Sequence, residues 1–168
     1  VPDDINSSFM RGSSAAPPLI REALFSASSN LFSESGLDLD QIGIWEDLGD
    51  IEFSGEIEEE SFKKIKTFVK DILASDQKLV SLGGDHSVTW PILDAHLDAW
   101  DTLDILHIDA HPDLYDSLLD NKLSHASPFA RVMETGRVNR LVQIGIRTLN
   151  KHQREQAEKF EVEMYQMK

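Results

Sequence analysis

At 168 residues the chain is long enough for one domain with a real core, and 40% apolar with 27% charged residues is an ordinary globular balance. A formal charge of −14 argues against nucleic acid as a partner, because phosphates call for Lys and Arg. The absence of cysteine removes disulfides, thiolate metal sites and thiol nucleophiles together.

No apolar run approaches the roughly 18 residues of a membrane helix, and no signal peptide is visible, so no membrane partner is expected. The expected compartment is the cytoplasm, or an organelle if a transit peptide once preceded Val1. The chain starts without Met and closes on a strand-like stretch, so both ends read as cut and 1–168 reads as a single domain lacking its C-terminal part.

Residues 1–16 are small and polar and read as loop. Pro17 and Pro18 can open a helix, with Leu19, Ile20, Ala23 and Leu24 at helical spacing. Gln41 to Leu48, holding Ile42, Ile44 and Trp45, is a candidate strand. Glu34 to Glu60 carries eleven acids and no Lys or Arg, a solvated acidic face and loop. Phe62, Ile65, Phe68, Val69 and Ile72 make one face of a helix. Lys78 to Leu82 predicts a short strand, Val88 to Leu97 a helix, and Leu103 to Asp109 a strand. Phe129 to Met133 predicts a helix, Arg140 to Ile146 a strand, Lys151 to Phe160 a helix and Val162 to Met167 a strand. This alternation predicts an α/β fold with a mainly parallel sheet. Short apolar strands further predict helices on both faces.

In open α/β sheets, functional groups collect beyond the carboxyl ends of strands. Two motifs sit there. One strand runs into Gly83-Gly84-Asp85-His86-Ser87, where the glycines permit a tight turn and His86 faces the crevice. The next runs into Asp109-Ala110-His111-Pro112-Asp113. In extended chain, alternate residues share a side, and Pro112 keeps His111 out of helical geometry. Three donors therefore project with His86 toward one place. Such a set can hold two metals roughly 3.5–4 Å apart with one carboxylate shared. Oxygen and imidazole without sulfur suit Mn²⁺, with Ni²⁺, Co²⁺ or Zn²⁺ as alternatives.

His125 opens a helix after a polar loop and is the candidate proton shuttle, a task its ordinary pKa suits. His107, inside its strand, reads as a buried, hydrogen-bonded histidine. Asp85 reads as a residue that bonds backbone or orients the site. His96, His152, Asp116 and Asp120 read as solvated.

These motifs, with Ser124-His125-Ala126-Ser127-Pro128-Phe129, resemble the ureohydrolase family of arginases and agmatinases. Weaker matches are Ser13 to Arg21 and Asp47 to Ile51. Asp104 to Met167 is most similar to plant-type arginases, whose branch Ala126 marks. The resemblance implies a three-layer α/β/α domain, arginase/deacetylase-like and here truncated, with a binuclear Mn²⁺ centre. It places His86, Asp109 and Asp113 on one metal and His111 with shared Asp109 on the other, with His125 relaying protons. It implies attack of a metal-activated hydroxide on a guanidinium carbon, releasing urea and an amine from arginine, agmatine or a related guanidino compound. It implies a homo-oligomer, trimer or hexamer. Asn121, in the loop Leu114 to Ser124, is the candidate substrate contact.

The chain departs from the family in lacking its later Ser-x-Asp-x-Asp strand motif and guanidinium-binding glutamate; no aspartate follows Asp120. A non-catalytic or regulatory remnant of the fold is therefore the competing reading. A two-metal phosphoesterase is disfavoured, because its Gly-Asp and Gly-Asn-His elements follow the Asp-x-His motif and here Gly-Gly-Asp-His precedes it.

Overall fold

The computed structural model describes residues 1–41, 43, 45–55, 57–75 and 77–167. Among them, five α-helices and three strands run in the order α1 (Ala16–Leu24), α2 (Glu58–Leu73), α3 (Thr89–Ala99), β1 (Leu103–Ile108), α4 (Pro128–Glu134), β2 (Val138–Ile146), α5 (Lys151–Lys159) and β3 (Glu163–Gln166). The strands form one parallel sheet in the order β1-β2-β3. The predicted α/β class holds.

Local chemistry explains the helix starts. Pro17 and Pro18 occupy the first turn of α1, where a missing N–H costs nothing. Glu58, Glu59 and Glu60 fill the first turn of α2 and complement the helix dipole. Asn150 caps α5, its side chain accepting from Gln153 N–H.

The core forms in two connected parts. Phe62, Ile65 and Val69 of α2 pack on Ala95 of α3, together with Ile51 and Val88. Leu97, Phe129, Val132 and Leu141 join α3, α4 and the sheet around Leu114. Trp90 packs against both. Lys66 also bridges α2 to α3, pairing with Asp94 at 2.8 Å and Asp98 at 3.2 Å.

One expected strand does not join this sheet. Lys78 to Leu82 makes no ladder, and Val80 is 87% exposed. Its end is instead held by the first residues of the chain. Val1 N donates to Leu82 O at 2.8 Å, Gly84 N–H to Val1 O at 2.9 Å and Asp85 N–H to Asp3 O at 2.9 Å. The Gln41 to Leu48 strand rests on Ile42 and Ile44, which lie outside the described residues; the described residues there make no ladder.

Helices on both faces are likewise not found among the described residues. Leu103, Ile105, Leu141 and Met164 pack with the helices. Alternation then turns Leu106, Ile108, Ile144 and Tyr165 to the opposite face, where they are exposed. These residues are apolar, as on a buried face, but among the described residues no helix covers them.

Candidate metal centre

The two motifs meet at the carboxyl end of β1. The backbone there is held by a bulge in β2 between Ile144 and Ile146. Gly145 adopts φ +95 at that point, and its backbone lies so close to Asp109 that a Cβ would stand 3.1 Å from the Asp109 carbonyl oxygen. Past the bulge, the N–H groups of Arg147 and Thr148 both donate to Ala110 O, at 2.9 and 3.1 Å. The 109–113 loop is thereby fastened to the end of β2. Asp113 is left-handed, with φ 47, a conformation Asp tolerates better than most residues. Backbone strain of this kind is concentrated at functional sites.

The second loop is held differently. Gly83 and Gly84 do not have positive φ, so the expected tight-turn role is not what they supply. Gly84 is required because the backbone of Asp3 crosses it; a Cβ would sit 2.0 Å from Asp3 O. Asp85 then caps the 3-10 turn His86–Val88, accepting from Ser87 N–H at 2.8 Å. This is the backbone bonding expected of it.

His86, Asp109, His111, Asp113 and His125 all line one open cavity of about 700 Å³. Within it, His86 Nδ1 lies 2.6 Å from Asp113 Oδ2. His111 Nδ1 lies 3.2 Å from Asp109 Oδ1, and His111 N–H donates to the same oxygen at 2.8 Å. Burial pushes the Asp109 carboxyl up, but the hydrogen bonds from the His111 backbone and ring outweigh it, and the net shift is down. Asp109 is therefore held as a carboxylate, the form that binds a cation.

Donor atoms of His86, His107 and Asp109 also lie within 4.8 Å of one another. Proximity alone would make His107 a ligand; its hydrogen bonding argues otherwise. Gln143 stands opposite His107 in the β1–β2 register. Its Nε2 donates to Pro112 O at 2.7 Å and reaches His107 Nδ1 at 3.1 Å. The carbonyl can only accept, which fixes the amide orientation and makes Nδ1 an acceptor. The ring proton then sits on Nε2, buried and without a hydrogen-bond partner, 3.8 Å from Asp109 Oδ2. Burial, followed by the neighbouring His86, pushes the His107 pKa down to about 4, so the ring is neutral. His107 thus aims an N–H at Asp109 and lacks the lone pair a cation needs. The buried, hydrogen-bonded histidine expected from the sequence is what the structure holds.

Asn121 is placed elsewhere than expected. It does not line the cavity. Its Nδ2 donates to Asn6 Oδ1 at 2.9 Å and Glu58 Oε1 at 3.2 Å, and its Oδ1 accepts from Leu123 N–H at 2.7 Å. The cavity wall is completed by residues the sequence did not single out, Tyr115, Leu118, Thr148, Leu149, Asn150 and Gln153. Thr148 and Asn150 follow the end of β2, so the same strand-end rule could have found them. His152 is also less free than a solvated helix residue, pairing with Asp116 at 3.0 Å and stacking on Tyr115.

A family model described as "Arginase family" matches residues 1–168. The chain belongs to the arginase family. "Arginase 1, mitochondrial" of Oryza sativa subsp. indica is 41% identical over 100% of this chain and 52% of that protein. The structure of the arginase from Medicago truncatula superposes with a TM-score of 0.93 at 40% identity, over 98% of this chain and 54% of that one. A Trypanosoma cruzi formiminoglutamase described with Mn²⁺ shares 21% identity at a TM-score of 0.77, over 94% of this chain and 54% of that one, a likeness of fold alone. The chain spans about half the length of the curated relatives it matches.

Proposed function

We propose that this chain supplies the metal-gripping half of a manganese-dependent ureohydrolase that cleaves the guanidino C–N bond of arginine, agmatine or a related compound. The observation carrying this reading is the convergence of His86, Asp109, His111, Asp113 and His125 on one cavity.

The donor set fits a pair of divalent ions. His86 Nδ1 and Asp113 Oδ2 face each other and would hold one. His111 Nδ1 faces Asp109 Oδ1, while Asp109 Oδ2 turns toward His107. Asp109, which lies near both His111 and His86, would be the carboxylate shared between the two ions. All donors are hard oxygen or imidazole nitrogen, which favours Mn²⁺, with Ni²⁺, Co²⁺ or Zn²⁺ as substitutes. Bound ions of this kind lower the pKa of water to near neutrality and steady developing negative charge.

The chain's own residues do the rest. The carboxylates of Asp109 and Asp113 attract a cationic guanidinium. His125 stands on the wall to take up a proton and return it to the leaving amine. Tyr115, Thr148 and Asn150 offer neutral hydrogen-bonding groups to the far end of the substrate. A homo-oligomer is the expected assembly, and the plant relative named mitochondrial makes an organelle interior the alternative to the cytoplasm.

The test is urea release by the full-length native protein from arginine and from agmatine, with and without Mn²⁺. Mn²⁺-dependent urea from either supports the reading and names the substrate. Tight Mn²⁺ binding with no urea from any guanidino compound overturns it in favour of a non-catalytic member of the fold.

A further inference from the structure

Asn6 is neither a metal donor nor part of the cavity wall, yet each of its polar groups is spent on a loop around the site. Its backbone N–H donates to Asp85 Oδ2 at 3.1 Å, and its Nδ2 donates to Ser87 Oγ at 3.3 Å. Its Oδ1 accepts from Asn121 Nδ2 at 2.9 Å, and its carbonyl oxygen lies 3.0 Å from His125 Nδ1. Asn6 is only 6% exposed, in a residue type that is mostly found at the surface. Ser7 Oγ adds a second bond from the same segment to Asp85 Oδ2, at 3.2 Å.

The contact with His125 decides a proton position. A carbonyl oxygen has lone pairs and no hydrogen, so Nδ1 must donate. Ser124 Oγ also approaches Nδ1, but at 3.4 Å, the longer of the two contacts. In a neutral imidazole with Nδ1–H, the lone pair is on Nε2. A proton acceptor needs that lone pair on the atom it offers to the substrate side, and a histidine in the wrong tautomer loses orders of magnitude in rate.

We propose that Asn6 is the positioning residue of this site, holding His125 as the Nδ1–H tautomer so that Nε2 is its proton-accepting atom. The inference rests on the proposed role of His125. Asp85 is the foundation of the arrangement. It caps the turn that begins at His86 and also receives Asn6 N–H, so one short strap couples the His86 loop to the His125 loop. Asn121, held by the same Asn6 side chain, belongs to this scaffold.

The tautomer can be read without turnover. Long-range ¹H–¹⁵N correlation of the His125 ring, in the ¹⁵N-labelled chain at a pH where the ring is neutral, is expected to show Nδ1–H alone. Asn6→Ala is expected to give a mixture containing Nε2–H. An Nε2–H ring in the unaltered protein, or an unchanged ring in Asn6→Ala, overturns the proposal. If Asn6→Ala does not fold, Ser87→Ala removes one amide anchor and should still introduce a minor Nε2–H population; its absence overturns the proposal equally. Where urea release is measurable, Asn6→Ala should lower kcat by about tenfold or more, within the span of general acid–base effects, with KM changed far less. A full-length, Mn²⁺-binding protein that makes no urea but shows the Nδ1–H ring, mixed in Asn6→Ala, refutes the hydrolase reading and the proton-accepting role of His125 with it, while the positioning of the ring by Asn6 stands.

Discussion

Gly83 and Gly84 are adjacent in one motif, yet alanine at each should behave very differently. At Gly84 the new Cβ would lie 2.0 Å from Asp3 O, 2.7 Å from Asp3 C and 2.9 Å from Asp3 N. All three atoms are backbone, and ordinary contact begins near 3.4 Å, so the Asp3 peptide must retreat by more than an ångström. That retreat breaks Asp85 N–H to Asp3 O and strains Gly84 N–H to Val1 O, both 2.9 Å. Overpacking costs about 1–3 kcal/mol, and each backbone hydrogen bond adds about 0.5–1.5 kcal/mol net. Gly84→Ala should therefore lose about 2–5 kcal/mol, a large part of the 5–15 kcal/mol typical of a domain. At Gly83 the Cβ would meet Val88 Cγ2 at 3.2 Å, a side-chain methyl that can give. Gly83→Ala should cost less than about 1 kcal/mol. Equilibrium urea unfolding of both variants measures this, read as a shift in midpoint at constant m-value. Equal losses in the two variants, or a Gly84→Ala loss under about 1 kcal/mol, would refute the argument that the crossing of the N-terminal segment is what this glycine serves.

Gln143→Leu keeps the volume but strips the donor from Pro112 O and His107 Nδ1, both buried around the 109–113 loop. A loss of about 2–4 kcal/mol is expected in chemical denaturation, since each abandoned buried group costs about 1–3 kcal/mol; a neutral result would mean water replaces the amide. Asp113→Asn should weaken Mn²⁺ binding at least about tenfold by calorimetry, while Asp116→Asn should not, because Asp116 pairs with His152 outside the donor set; equal effects would undo the ligand assignment. Asp4 has its pKa lowered: burial opposes this, but the N–H groups of Ser14 and Gly12 prevail. A carboxyl depressed on folding contributes stability that is full above its unfolded pKa of about 3.9 and is lost as pH falls through the folded value. Asp4→Asn should flatten the acid limb of a stability-versus-pH curve, and an unaltered limb would show that Asp4 gains nothing on folding.

The helices were legible because each has a local cause within its own residues. Pro17 and Pro18 mark a start, and Phe62, Ile65 and Val69 mark a face. The sheet was less legible because pairing is not local. Lys78 to Leu82 has the composition of a strand, but a ladder needs a neighbour, and the residues that reach it are Val1 and Asp3. Leu106, Ile108 and Ile144 are apolar enough for burial on a second face. Apolarity states what a face requires and says nothing of whether these residues supply the cover.

The site shows the same division. The spacing of Asp109, His111 and Asp113 inside five residues was enough to suggest that they share one cavity, though the segment is not extended throughout, since His111 N–H turns back to Asp109 and Asp113 is left-handed. What the donors bond to behind them was not legible. Gln143 sits thirty-six residues from His107, and Asn6 sits 119 from His125, and each contact exists only because the sheet register and the N-terminal crossing bring them together. The two cases share a form. In both, an atom of fixed donor or acceptor character reaches one nitrogen of a histidine and thereby decides what the other nitrogen can do. At His107 that leaves an N–H and removes a metal ligand; at His125 it leaves a lone pair, the one the proposed base would use. Residue type alone offered histidine for both tasks, and it is the partner across the fold that separates them.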